Sequence, residues 1–294
     1  MRNKTIYILS ILLLLCLNIK AQKQSFADST SINKEAENPN FIHAYILVSS
    51  EGESIQSAFG HVAIRMVCES KGLDYCFTFD TDFDRSSLLT QFRRKAKAGF
   101  EAIPTAKYIN IYKKEGRGIA SFEMNLTPKE KQKLWKFLDK QVANGLSWTF
   151  DYIEVNCVSM TLFAINSAIA PGEIHFRKMP PVVYEDLNTW IDVITENSPW
   201  IRIIAHLGLK DVDGAKVAPQ DLLTPNMLKQ VIPYAYVKRP EAKDRNLLTG
   251  NNTSLSTMVY IDRPAWFSPC KLMICMFLAI TLSILLYIKK KSNF

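Results

Sequence analysis

Cysteine is scarce, with six in 294 residues, and glycine (11) and proline (13) are few as well. Six thiols cannot staple a disulfide-built mini-domain. So little glycine and proline excludes a collagen-like or low-complexity chain. Acidic residues are missing from both ends, since neither residues 1–21 nor residues 271–294 contain Asp or Glu. No internal repeat is present, and no Cys/His spacing of the zinc type. The formal net charge is +8. Seven of the basic residues, Arg2, Lys4, Lys20, Lys271, Lys289, Lys290 and Lys291, lie in the two acid-free ends. Setting them aside leaves 29 basic against 28 acidic residues. A nearly neutral body carries no electrostatic footprint for nucleic acid, so no nucleic-acid partner is expected. At 48% hydrophobic and 22% charged, the chain has the composition of one large or two ordinary globular domains.

The ends themselves are hydrophobic. Arg2 and Lys4 precede an apolar run at 6–17, and Ile19-Lys20-Ala21 precedes Gln22. That order of charge, apolar run and small residue is the pattern of a cleaved signal peptide over 1–21. Residues 22–40 are polar and read as a flexible spacer. Near the other end, 272–288 is an uncharged run followed directly by Lys289, Lys290 and Lys291. The sequence therefore predicts a transmembrane helix over 269–288 and a cytoplasmic tail over 289–294. With a cleaved signal, the body would face the periplasm on a single-pass inner-membrane anchor. Charged and polar residues 241–268 read as a tether.

Between the ends, residues 41–240 read as one α+β domain. Residues 41–48 (FIHAYILV) are rich in β-formers. In 61–67, Val62, Ile64 and Met66 share one strand face, while His61, Ala63 and Arg65 share the other. Lys71-Gly72 predicts a turn into a strand at 75–79. Residues 108–112 and 119–126 read as two further strands. Thr127-Pro128 with Glu130 is a capping-box start for a helix with Leu134, Phe137 and Leu138 on its apolar face. Asn144-Gly145 ends it. Val158, Leu162, Ile165 and Ile169 recur at helical spacing after Cys157, and Pro171-Gly172 stops that helix. Further helices are expected at 185–194 and 221–232.

The chemistry candidates are thiols and imidazoles. Cys68 and Cys76 lie on the two arms of the expected hairpin, where a disulfide is geometrically conceivable. Cys157 is then left over at a helix start, a location that lowers a thiol pKa. A nearby imidazole could deprotonate it. Of His43, His61, His175 and His206, His61 opens a strand behind Phe59-Gly60 and could point into a groove. The other three read as surface or core residues.

Seven segments, in order, resemble the Lnb family of bacterial lipoprotein N-acyltransferases, which have an N-terminal periplasmic domain. They are SAFGHVAIRM (57–66), TDF (81–83), FEMNLTPKEKQKL (122–134), FDYIEVNC (150–157), ENSPW (196–200), LGLKDVDG (207–214) and DLLTPNML (221–228). The His-first, Cys-later order also resembles permuted papain-like thiol enzymes such as lecithin:retinol acyltransferase. The resemblance implies a papain-like core with Cys157 as nucleophile and His61 as base. The third member would come from the strand beside His61, with Asp80 and Asp82 as candidates. It further implies acyl transfer from a phospholipid, through a Cys thioester, to an amine such as the N-terminus of an apolipoprotein, with no cofactor or metal. The pattern departs from the family after Asn156-Cys157, where Val158-Ser159-Met160 replaces a small residue followed by Thr-Arg. A papain-like cell-wall amidase or peptidase, and an inactive lipid- or partner-binding member of the family, remain open.

Overall fold

The structure, a computed structural model, describes residues 38, 41–52, 57–81, 96–151, 154–178, 187–195, 199–208, 224–257 and 269–292. The expected signal peptide and nearly all of the spacer lie outside these residues, as does Asp82.

Strand β1 (His43–Ser49) pairs antiparallel with β2 (His61–Cys68) in the register His43↔Val67 to Ser49↔His61. The expected alternation holds, and Val62, Ile64 and Met66 are wholly buried. A single 3-10 turn (Glu69–Lys71) and Gly72, at φ +62°, reverse the chain. Strand β3 (Leu73–Thr81) then returns alongside β2. Strand β4 (Lys97–Pro104) follows, then helix α1 (Thr105–Lys114), strand β5 (Ile119–Met124) and helix α2 (Pro128–Asn144). Helix α2 starts with the expected capping box, in which Thr127 Oγ1 accepts the Glu130 N–H and Glu130 Oε2 accepts the Thr127 N–H. Beyond the two-residue β6 (Trp148–Thr149) come α3 (Cys157–Ile169), β7 (Glu173–Phe176), α4 (Leu187–Ile194), α5 (Pro199–Gly208) and α6 (Pro225–Val231). The chain closes with β8 (Ala235–Arg239), β9 (Ala242–Asn246), β10 (Leu248–Ser256) and α7 (Pro269–Ser292).

Seven strands form one antiparallel sheet in the order β10-β5-β1-β2-β3-β4-β6, and β7, β8 and β9 form a second, smaller sheet. The fold is α+β. Each face of the main sheet is covered. On one, Ile46, Val62, Ile64, Phe77, Phe100 and Phe122 pack with Leu134 and Leu138 of α2 and Ala164 and Ile165 of α3. On the other, Leu47, Ala63, Cys76 and Ile119 pack with Tyr108 and Tyr112 of α1. Burial of these apolar faces is the main driving force, at about 25 cal/mol per Å² of apolar surface removed from water.

Four expectations are corrected. Residues 108–112 are helical, because Tyr108 and Tyr112 sit one turn apart and cover the sheet together, with ring centroids 4.5 Å apart. Residues 242–256, expected within the tether, form β9 and β10, and β10 is hydrogen-bonded to β5 in the main sheet. Cys68 and Cys76 are not disulfide-bonded. Cys76 pairs with Arg65, whereas Cys68 shares the face of Val62, Ile64 and Met66, so the two thiols point to opposite sides of the sheet. Finally, the spanning helix at 269–288 is not shown: among the described residues no helix is long and apolar enough to cross a membrane.

Candidate active site

Cys157 is the first residue of α3, and Asn156 is the reason the helix starts there. Asn156 is extended, at φ −129°. Its Oδ1 accepts the N–H of Val158 at 2.9 Å and of Ser159 at 3.0 Å, and Ser159 Oγ accepts the Asn156 N–H at 2.9 Å. This reciprocal cap satisfies three otherwise orphaned donors. The Asn-Cys step is thus a helix-start signal, and Ser159, three residues past Asn156, was the readable mark of a capping box.

The Cys157 thiol accepts the backbone N–H of Val62, the residue after His61, and also lies against the N–H groups of Cys157 and Val158. These donors favour the thiolate. Burial outweighs them and, with the Asp80 carboxylate nearby, pushes the thiol up to about 12. The expected lowering by the helix terminus is corrected on this point: enclosure in the protein dominates, and the resting group is a neutral thiol.

His61 is the first residue of β2, opposite Ser49. Gly60, before it, has φ +82°, and a Cβ there would lie 2.7 Å from the Ser49 carbonyl oxygen. Only glycine admits that turn without strain. Nε2 of His61 is hydrogen-bonded to Oγ1 of Thr78, a residue 2% exposed on the neighbouring β3. Burial lowers the imidazole pKa, Asp80 raises it and Arg117 lowers it, and the net direction is downward. Both groups are therefore held neutral.

Asp80 lies on β3 opposite Gly99. Continuing the β2–β3 register two residues beyond Ala63↔Thr78 sets Asp80 across from His61. Its Oδ1 accepts the Thr81 N–H at 3.0 Å. Asp80 thus acts on His61 and Cys157 through its field. Sequence reasoning missed two neighbours. Thr78 is one, because its same-face position became apparent only with the register. Arg117 is the other: 5% exposed, it donates Nε–H to Ser50 O at 2.7 Å and Nη1–H to Glu115 at 3.0 Å, with its guanidinium 4.3 Å over the Tyr112 ring.

The remaining imidazoles stand elsewhere. His43 pairs with Glu123 at 3.1 Å, His175 lies 3.7 Å from Glu173, and His206 lies 2.9 Å from Asp192. Among the described residues, no group of three or more His, Cys, Asp and Glu could hold a metal ion. A cavity of about 440 Å³ opens beside the site, bordered by Ser49 and Gly60 and extending to Glu51, Asn226, Lys229 and Ser256.

Residues 29–191 match the description "Lnb N-terminal periplasmic domain". The chain belongs to this family. The match covers the sheet from β1 to β6, Cys157 and the whole of α3, and it gives the Lnb domain described here a periplasmic setting. No curated protein matches the chain. A solved structure, that of the type VI secretion system effector TseH, is similar over 49% of this chain and 84% of its own, with 11% identity and a TM-score of 0.34.

Proposed function

We propose that this Lnb domain is a periplasmic thiol acyltransferase. It would move an acyl chain from a phospholipid to an amine, with lipoprotein N-acylation as the specific reaction. One observation carries the reading. The strand that presents His61 also donates the Val62 N–H to the sulfur of Cys157, while Thr78 ties down the ring.

In the first half-reaction His61 takes the Cys157 S–H proton as sulfur attacks the ester carbonyl carbon. The N–H of Cys157, at the capped start of α3, is placed to stabilise the oxyanion. The C–O ester bond breaks, and His61 returns the proton to the leaving alkoxide. That releases a lysophospholipid and leaves a Cys157 thioester. In the second half-reaction an amine nitrogen attacks the thioester and loses a proton to His61. The C–S bond breaks, and the proton passes to sulfur, regenerating the thiol. A neutral resting pair suits this general-base route and protects the thiol from adventitious oxidation. Asp80 steadies the imidazolium that forms in each half.

The test is transfer of a labelled acyl chain from phospholipid vesicles to a lipopeptide with a free N-terminal cysteine. The wild-type protein is expected to make the amide, and Cys157→Ala is not. Release of free fatty acid alone, or cleavage of peptidoglycan fragments, would replace the acyltransferase with a hydrolase or amidase.

A further inference from the structure

Sequence reasoning looked for a carboxylate as the third member of the site. The hydrogen-bond partner of the ring is instead a hydroxyl, that of Thr78. A neutral imidazole has one N–H and one bare nitrogen. Nε2, at the far tip of the ring, is engaged by Thr78 Oγ1. The sulfur of Cys157 accepts the N–H of Val62, the residue next to His61, and Nδ1 is the ring nitrogen that Thr78 does not engage. Thr78 is well fixed for such a role. It pairs with Ala63 on β2, shares the face of His61 and is almost fully buried. Its β-branched side chain has few rotamers available. The other charged or titratable groups felt across the site are Asp80 from β3, Arg117 between α1 and β5, Tyr112 from α1 and Cys157 from α3.

We infer that Thr78 is the positioning residue of this site: it accepts the Nε2–H of His61 and so leaves Nδ1 as the atom that receives the Cys157 proton. A neutral acceptor orients the ring as a carboxylate would, but stabilises the imidazolium less, because it brings no opposite charge to the ring. The division of labour is then between two neighbours on one strand. Thr78 fixes the tautomer by contact, and Asp80 supplies the negative field from a distance. The inference rests on the acyl-transfer reading only for what Nδ1 does in turnover. The tautomer itself is measurable without substrate.

The experiment is ¹⁵N NMR of the histidine rings in the full chain, with the His61 signals assigned by their loss in His61→Gln. Wild type is expected to show one tautomer, with the proton on Nε2. Thr78→Val, which keeps shape and loses the hydroxyl, should show mixed tautomers and titrate at lower pH, because the acceptor for the charged ring's Nε2–H is gone. Its acyl transfer should fall about 10–100-fold, part of the 10²–10⁴ a general base contributes. Thr78→Ser should restore the tautomer and most of the rate. A wild-type proton on Nδ1, or an unchanged tautomer in a folded Thr78→Val, overturns the inference. Should Thr78→Val fail to fold by circular dichroism, the wild-type tautomer and Thr78→Ser decide it. The expected tautomers without acyl transfer in any protein would sustain this inference and sink the transferase reading.

Discussion

The backbone N–H of Val62 is hydrogen-bonded to the sulfur of Cys157, so the strand that presents the imidazole of His61 also holds the thiol. Two segments far apart in the chain are thereby registered by a main-chain donor, which substitution of side chains cannot remove. Cys157→Ser keeps the cap and the helix but replaces the thiol with a poorer nucleophile. It is expected to fold with unchanged thermal stability, within about 1 kcal/mol, and to lose acyl transfer by several orders of magnitude. Circular dichroism melts alongside the vesicle assay check both halves of that statement.

Asp80 raises the His61 pKa against the lowering by burial and by Arg117. Asp80→Asn removes the raising influence, so the ring should titrate at lower pH than in the wild type. The rate depends on neutral imidazole in the resting enzyme, and the acidic limb of its pH profile should shift downward with it. An acidic limb that stays in place, or moves upward, would show that His61 does not feel Asp80.

The same lowered pKa links to folding. With His61 held below its unfolded value of about 6.5, the unfolded chain binds the proton first as pH falls. His61 therefore takes nothing from stability above about pH 6.5, and its neutral burial becomes a cost as pH drops toward the folded-state pKa. Replacing it by an uncharged isostere, His61→Gln, should flatten the fall in denaturation midpoint over that window. A fall as steep as the wild type's would place the acid sensitivity elsewhere.

Asn156 caps α3 through Oδ1. Asn156→Ala is expected to cost about 1 kcal/mol in urea unfolding and to lower activity further, since the thiol is set by the first turn. Asn156→Asp retains the accepting oxygen and should keep most of the stability. Equal losses in the two variants would argue against the cap.

The main sheet was largely legible because its signals are local. The alternation around His61, the Lys71-Gly72 turn and the Thr127/Glu130 box each follow from side-chain periodicity or turn chemistry within a few residues. The failures are places where distant packing decided. Tyr108 and Tyr112 have β-forming side chains, yet the uncovered sheet face that they seal recruits them into a helix. Residues 242–256 read as a polar tether because β10 is an exposed edge strand, and its partner β5 is more than a hundred residues earlier. At the candidate site, Cys157 and His61 are proposed from motif order, whereas Thr78 could not be, because a threonine becomes a partner only once strand register sets it beside the ring. The raised thiol pKa was hidden for the same reason: burial is a property of the whole fold.

The central claim is that Cys157 carries the acyl chain. The measurement that tests it most directly is peptide mass spectrometry of the protein incubated with phospholipid vesicles and quenched without an amine acceptor. An acyl adduct on the peptide containing Cys157, removed by hydroxylamine and missing in Cys157→Ala, is the expected result. An unmodified Cys157 in a preparation that still transfers acyl chains to the lipopeptide would contradict it.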